Sequence, residues 1–252
     1  MKSLTHYIQE KLIIKKNKST NYKYFPQSKE ELRAIIKERI KDKGNEVDLN
    51  DIDVSNITDM SSLFEYSDFN GNISKWDVSN VTDMHSMFLG CKKFNQDISV
   101  LDVSNVKNMN SMFYGCESFN QDISKWDVSN VENISHMFTY CASFNQDISA
   151  WDVSNVTNMR YMFSACKVFN QDISKWGVSN VTDMSHMFIG CIKFNQDISD
   201  WDVSNVTDMS HMFYNCESFN QDISRWDVSN VKDMVKIFSM CPIEEKYKPK
   251  FK

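Results

Sequence analysis

The sequence predicts a leucine-rich-repeat-like repeat solenoid. Each rung is expected to be a short parallel β-strand plus a short helix, behind an α-helical N-terminal cap. Three observations predict it. Trp76, Leu101, Trp126, Trp151, Trp176, Trp201 and Trp226 stand 25 residues apart, each followed by V-S-N-V. Within each copy the apolar spacing changes from two residues to a helical period. A capping box also stands just upstream of the array. Self-similarity at a fixed period marks a repeat architecture, because one unit cannot bury its own apolar face and its neighbours must.

In chain order, Leu4, Ile8 and Leu12 read as an amphipathic helix, and KKNKSTNYK as a linker. Ser28-Lys29-Glu30-Glu31 opens a second helix, with Ser28 at N-cap and Glu31 at N3. Leu32, Ile35, Ile36 and Ile40 give that helix its apolar face, and Gly44 suits its stop. Val47 and Leu49 lead into a first repeat copy at Ile52, one residue short because Ser67-Asp68-Phe69 replaces C-x-x-F. In ISDWDVSNV, Trp201 and Val203 alternate with polar residues, as in a half-buried strand. Met209, Met212, Phe213 and Cys216 then lie at i, i+3, i+4 and i+7, which predicts a short helix capped by Thr207 or Asp208. FNQDIS makes the corner before the next rung. This divides the chain into a helical N-terminal region and cap over 1–50, an eight-rung array over 51–241 and a basic tail over 242–252.

Composition restricts function. The chain is 41% hydrophobic and 25% charged, enough apolar material for a sizeable core. A net charge of −6 argues against a nucleic-acid partner, which would need a basic stripe for the phosphates. No run reaches the ~20 apolar residues of a membrane span. The start, MKSLTHYIQEKLIIKK, shows neither the apolar core of a signal peptide nor a lipid-attachment cysteine.

The unit W-D-V-S-N-V-T-x-M-x-x-M-F-x-x-C-x-x-F-N-Q-D-I-S resembles the repeat of the BspA-like leucine-rich-repeat surface proteins. The resemblance implies a leucine-rich-repeat-like solenoid and adhesion or protein recognition at a bacterial surface. Two locations stay open: the cell surface that the resemblance implies, and an intracellular one that fits the missing export signals. The stretch KSLTHYIQEKL is also similar to leaders on tailed-phage structural proteins. That gives an alternative function, a structural or assembly component docked through its N-terminal helix.

Candidate sites form columns. Cys91, Cys116, Cys141, Cys166, Cys191, Cys216 and Cys241 are expected as buried free thiols, since ladder side chains run parallel and no C-x-x-C pair exists. Asp77, Asp102, Asp127, Asp152, Asp202 and Asp227 should point outward, interrupted by Gly177. Ser79-type hydroxyls, neighbouring cations or a bound Ca²⁺ are the candidates to offset their repulsion. Asp97, Asp122, Asp147, Asp172, Asp197 and Asp222 read as turn formers, as do Asn80 and its repeats. His136, His186 and His211 share a column that is otherwise variable.

Variation gathers at Lys75, Val100, Lys125, Ala150, Lys175, Asp200 and Arg225. With the Asp77-type column these residues form the candidate partner-binding strand face. It gathers also at His85, Arg160, Tyr161, Tyr114, Tyr140 and Tyr214 around the expected helix. No phosphate loop, G-x-S-x-G or H-E-x-x-H occurs, so neither catalysis nor a cofactor or metal is expected. The expected partner is a protein.

Overall fold

The computed structural model describes residues 21–251, so the Leu4–Leu12 helix and most of the linker lie outside the described residues. The chain runs as a stack of rungs. Successive rungs are joined by single parallel bridges, from Asp59↔Asp83 and Asp83↔Asn108 through to Asp208↔Asp233.

The strand-plus-helix rung is not what forms. Among the described residues the α-helix is α1, Lys29–Lys43, which precedes the rungs, and the bridges extend into no sheet. The leucine-rich-repeat-like assignment is therefore corrected, and hydrogen-bond routing gives the reason. In Met109–Cys116, alternate N–H groups leave the rung: Met109, Ser111, Phe113 and Gly115 donate to the carbonyls of Asn133, Ser135, Met137 and Thr139 at 2.7–3.0 Å. Those in between turn back three residues, Met112 to Met109, Tyr114 to Ser111 and Cys116 to Phe113. An α-helix needs every N–H for its own i−4 carbonyl and only negative φ. Here Ser111 has φ 55° and Gly115 φ 71°. The same two positions are left-handed in every rung, as at His136 and Tyr140 or His211 and Asn215.

The helical spacing did find the buried side chains, because Met109, Met112, Phe113 and Cys116 are all buried. It assigned them the wrong backbone. The W-D-V-S-N stretch fails as a strand for a related reason. Its side chains alternate in burial, but Trp126 N–H returns to Ile123 and Val131 N–H to Val128, closing two turns. Only at Glu132 does a backbone N–H of this side reach the preceding rung, donating to the Lys107 carbonyl at 2.9 Å.

Aromatic rings fill the interior. Phe88 and Phe94 stack at 4.0 Å within one rung, and Phe88 meets Phe113 of the next at 5.6 Å. A second column runs through Phe94, Phe119 and Phe144 at 6.0–6.1 Å. Each fully buried Phe contributes about 1.5–3 kcal/mol of transfer free energy. Trp rings close one side, and each indole N–H donates to a carbonyl of the preceding rung, Trp126 to Ile98 and Trp151 to Ile123.

α1 packs Leu32, Ile35 and Ile36 against the first rung. Ser28 caps it by accepting the Glu31 N–H, and Glu31 in return accepts the Gln27 N–H. Lys29 reaches the Asp59 carboxylate and the Ser61 hydroxyl, and Arg33 donates to the Ser62 carbonyl. At the far end residues 242–251 replace the missing corner. Glu244 N–H donates to Asn220 Oδ1, and the Tyr247 carbonyl accepts from Ile223.

Two expected outcomes test this backbone. The φ of Gly190 is 71°, and an added Cβ would lie 3.7 Å from the nearest atom, so the conformation alone opposes a side chain there. Gly190→Ala should lower unfolding free energy by about 1 kcal/mol in urea titration. Leu101→Trp should raise it by about 1 kcal/mol, because the Ile73 carbonyl holds the place that accepts an indole N–H in other rungs.

Candidate functional surface

Three carboxylate or amide corners shape each rung. Asp102 Oδ1 accepts the N–H and hydroxyl of Ser104, Asn108 Oδ1 accepts the Asn110 N–H, and Asp122 Oδ1 accepts the Ser124 N–H. A short side chain bonding the backbone two residues on is an Asx turn. The residue expected to cap a helix, Asp208, instead closes such a turn on the Ser210 N–H. Asparagines then tie rung to rung: Asn105 Nδ2 donates to the Ser79 carbonyl, and Asn120 N–H to Asn95 Oδ1.

The first corner carries the predicted binding columns, on a turn rather than a strand. Lys75, Val100, Lys125, Ala150, Lys175, Asp200 and Arg225 are all exposed, as are Asp77, Asp102, Asp127, Asp152, Asp202 and Asp227. The buried Trp column, with Leu101, runs between them. Serine donors offset the repulsion within the acid column. Ser hydroxyls lie 2.6 Å from Asp77, Asp102, Asp127 and Asp202, and the Ser154 and Ser229 N–H groups donate to Asp152 and Asp227. The same bonds hold Asp102, Asp152 and Asp202 below the ordinary carboxylate range. Among the described residues no three His, Cys, Asp or Glu side chains converge as metal ligands.

The cysteine column is interior from Cys91 to Cys216, while Cys241 is only half-buried because its rung has no successor. Each thiol donates to a phenylalanine carbonyl of the preceding rung, Cys116 to Phe88 at 3.0 Å and Cys141 to Phe113 at 2.9 Å. Burial pushes the Cys91 thiol up to about 11 and raises the others as well.

A second, half-buried feature was only partly visible in the sequence. His136, Tyr161, His186 and His211 stack face to face, with centroids 4.2–4.7 Å apart. Arg160 lies over Tyr161 at 5.0 Å, and Tyr114 meets Tyr140 edge-on at 5.6 Å. An expected helix hid this ridge; parallel rungs place each member directly over the last. Burial lowers the affinity of His136 and His186 for a proton, with Arg160 acting the same way. A cleft of about 750 Å³ also opens between α1 and the first rung, lined by Lys23, Arg39, Lys43, Asn50 and Asp51 among others.

The family described as "Mycoplasma protein of unknown function, DUF285" matches residues 32–151 and 134–248, which together span most of α1 and the whole stack. The chain belongs to this family. No curated protein and no solved structure matches it. No helix of this DUF285 chain among the described residues is long and apolar enough to cross a membrane.

Two outcomes follow for these side chains. Under native conditions a thiol reagent should label Cys241 first and reach the other six only on global unfolding, as a time course read by mass spectrometry would show. Stability should fall in two steps on acidification. The His136 and His186 step begins near the unfolded histidine value of about 6.5, since the unfolded chain then binds the extra protons. The aspartate step comes below about pH 4, as the lowered carboxylates finally protonate. His186→Tyr, which copies Tyr161 in the same column, should shrink the first step and leave the second unchanged in urea midpoints against pH.

Proposed function

We propose that this DUF285 chain is a non-enzymatic protein-interaction module of the BspA-like surface type, meeting an extended partner along its first corner. The observation that carries the reading is the pair of exposed columns there. One is variable and mostly basic, the other nearly uniform aspartate, and they flank a buried aromatic spine. Successive rungs repeat their contact chemistry at this corner at the 6.4–6.5 Å that separates adjacent Trp rings, so a partner that is itself extended gains one set of contacts per rung. Parallel rows suit recognition better than catalysis, which needs unlike groups converging on one point. The net charge of −6 and the aspartate column favour a protein over a nucleic acid as that partner.

The test replaces Lys75, Lys125, Lys175 and Arg225 together by alanine, with circular dichroism confirming an intact stack. Capture of a crosslinked partner by the immobilised chain should fall about tenfold, and the wild-type interaction should weaken in high salt. Capture unchanged by the four substitutions overturns the reading.

A further inference from the structure

The last rung presents an edge that the other rungs do not. In each junction the N–H groups at four alternate positions donate to four carbonyls of the following rung, as Met209, His211, Phe213 and Asn215 do to Asp233, Val235, Ile237 and Ser239. The equivalent donors of the last rung are Met234, Lys236, Phe238 and Met240. Among the described residues these N–H groups meet no acceptor. The rung's other N–H groups are satisfied: Val235 by Asp233, and Ile237, Ser239 and Cys241 by carbonyls three residues back.

The side chains on this edge depart from their columns. Val235 stands where other rungs carry His85, Asn110, Ser135, Arg160, Ser185 and Ser210, and it is 56% exposed. Met240 stands where Gly90, Gly115 and Gly190 stand, and it is 67% exposed. Met234 is 39% exposed, whereas the methionines of its column in other rungs are buried. The C-terminal segment reaches this edge at Phe238, over whose ring Lys248 lies at 5.8 Å, and bonds the FNQD corner through Glu244, while Met234, Val235, Lys236 and Met240 stay exposed. Lys232 and Lys236 stand exposed beside the open donors.

We infer that this edge docks an extended segment of a partner protein, as one further rung. Seven junctions inside the molecule show what such an edge accepts: a backbone offering carbonyls at i, i+2, i+4 and i+6 in parallel register. Two copies of the edge laid on each other would oppose donors to donors. The complementary edge of the first rung lies beside α1, where Ser61 and Leu63 are buried, Lys29 holds the Asp59 and Ser61 side chains and Arg33 takes the Ser62 carbonyl. The occupant is therefore another protein's segment. Lys232 and Lys236 favour one carrying acidic residues, and Met234, Val235 and Met240 one that also brings apolar side chains. Strand addition of this kind draws affinity from main-chain bonds and selectivity from alternate side chains. The edge is separate from the lysine and aspartate columns of the first corner.

A peptide of residues 128–141, with Cys141→Ser to prevent oxidation, is the probe. Inside the stack its Asn133, Ser135, Met137 and Thr139 carbonyls accept from the rung before, and its Glu132 would fall beside Lys232. Binding to the full chain is followed by fluorescence anisotropy, and backbone exchange by NMR. The expected result is one peptide per chain, with exchange at Met234, Lys236, Phe238 and Met240 slowed about tenfold or more. Val235→Glu and Met240→Glu, both on exposed side chains, should weaken binding about tenfold while leaving the fold intact. The alanine set at Lys75, Lys125, Lys175 and Arg225 should leave it unchanged. Absence of binding at millimolar peptide overturns the inference, as does equal binding of a scrambled peptide or binding that leaves the four amides unprotected. So does concentration-dependent dimerisation in the ultracentrifuge that protects the same amides, since the occupant is then a second copy.

Discussion

Everything in this molecule depends on sending every second peptide N–H of one segment out of its own rung and into the next. That routing goes with two left-handed positions in each rung, Ser111 and Gly115 in the third, between which the other N–H groups turn back three residues. It brings identical side chains into register, and so produces the phenylalanine, cysteine and histidine columns. It also means that no rung can satisfy its own backbone. Buried polar groups left unpaired cost about 1–3 kcal/mol each, so isolated rungs are unstable and the stack forms cooperatively.

Much of this was legible in the sequence, but not the backbone that carries it. The 25-residue period, the burial of Met109, Met112, Phe113 and Cys116, and the capped helix over 29–43 all follow from spacing and composition. The rung itself did not follow, because an i, i+3, i+4, i+7 pattern reports which side chains share an interior and not how the chain turns between them. One signal lay in plain sight. Gly90, Gly115 and Gly190 share a column inside the expected helix, where glycine is a poor choice but a left-handed position a good one. Tyr66, Tyr140 and Met240 at the same position obscured it by adopting the same conformation against their preference.

The surface was legible to a similar depth. Reading Asp77 and its repeats as outward-facing needed only alternation beside buried Trp and Val. Serine hydroxyls stood in the sequence as one candidate partner beside neighbouring cations and a bound Ca²⁺, and the D-x-S spacing places them in an Asx turn. The histidine and tyrosine ridge needed the true rung, because a helix would have turned those positions away from one another. Both asparagine and aspartate occupy the second corner, Asn108, Asn133 and Asn158 in the middle rungs and Asp83, Asp183 and Asp208 on either side. The side-chain Oδ1 common to both residues is what that corner uses.

The shortened first rung carries a consequence of its own. Its missing residue falls between Tyr66 and Phe69, just outside the segment that exchanges hydrogen bonds, and Ser67 there lies 3.7 Å from the Cys91 sulfur. Elsewhere three pinned corners leave no slack for partial insertions. A whole unit, by contrast, can be added or excised at any junction, because the two severed faces are the same and rejoin in register. Molecular length is thus a quantised variable, open to unequal recombination between copies in steps of one rung. A lineage could lengthen or shorten its reach without redesigning a single contact.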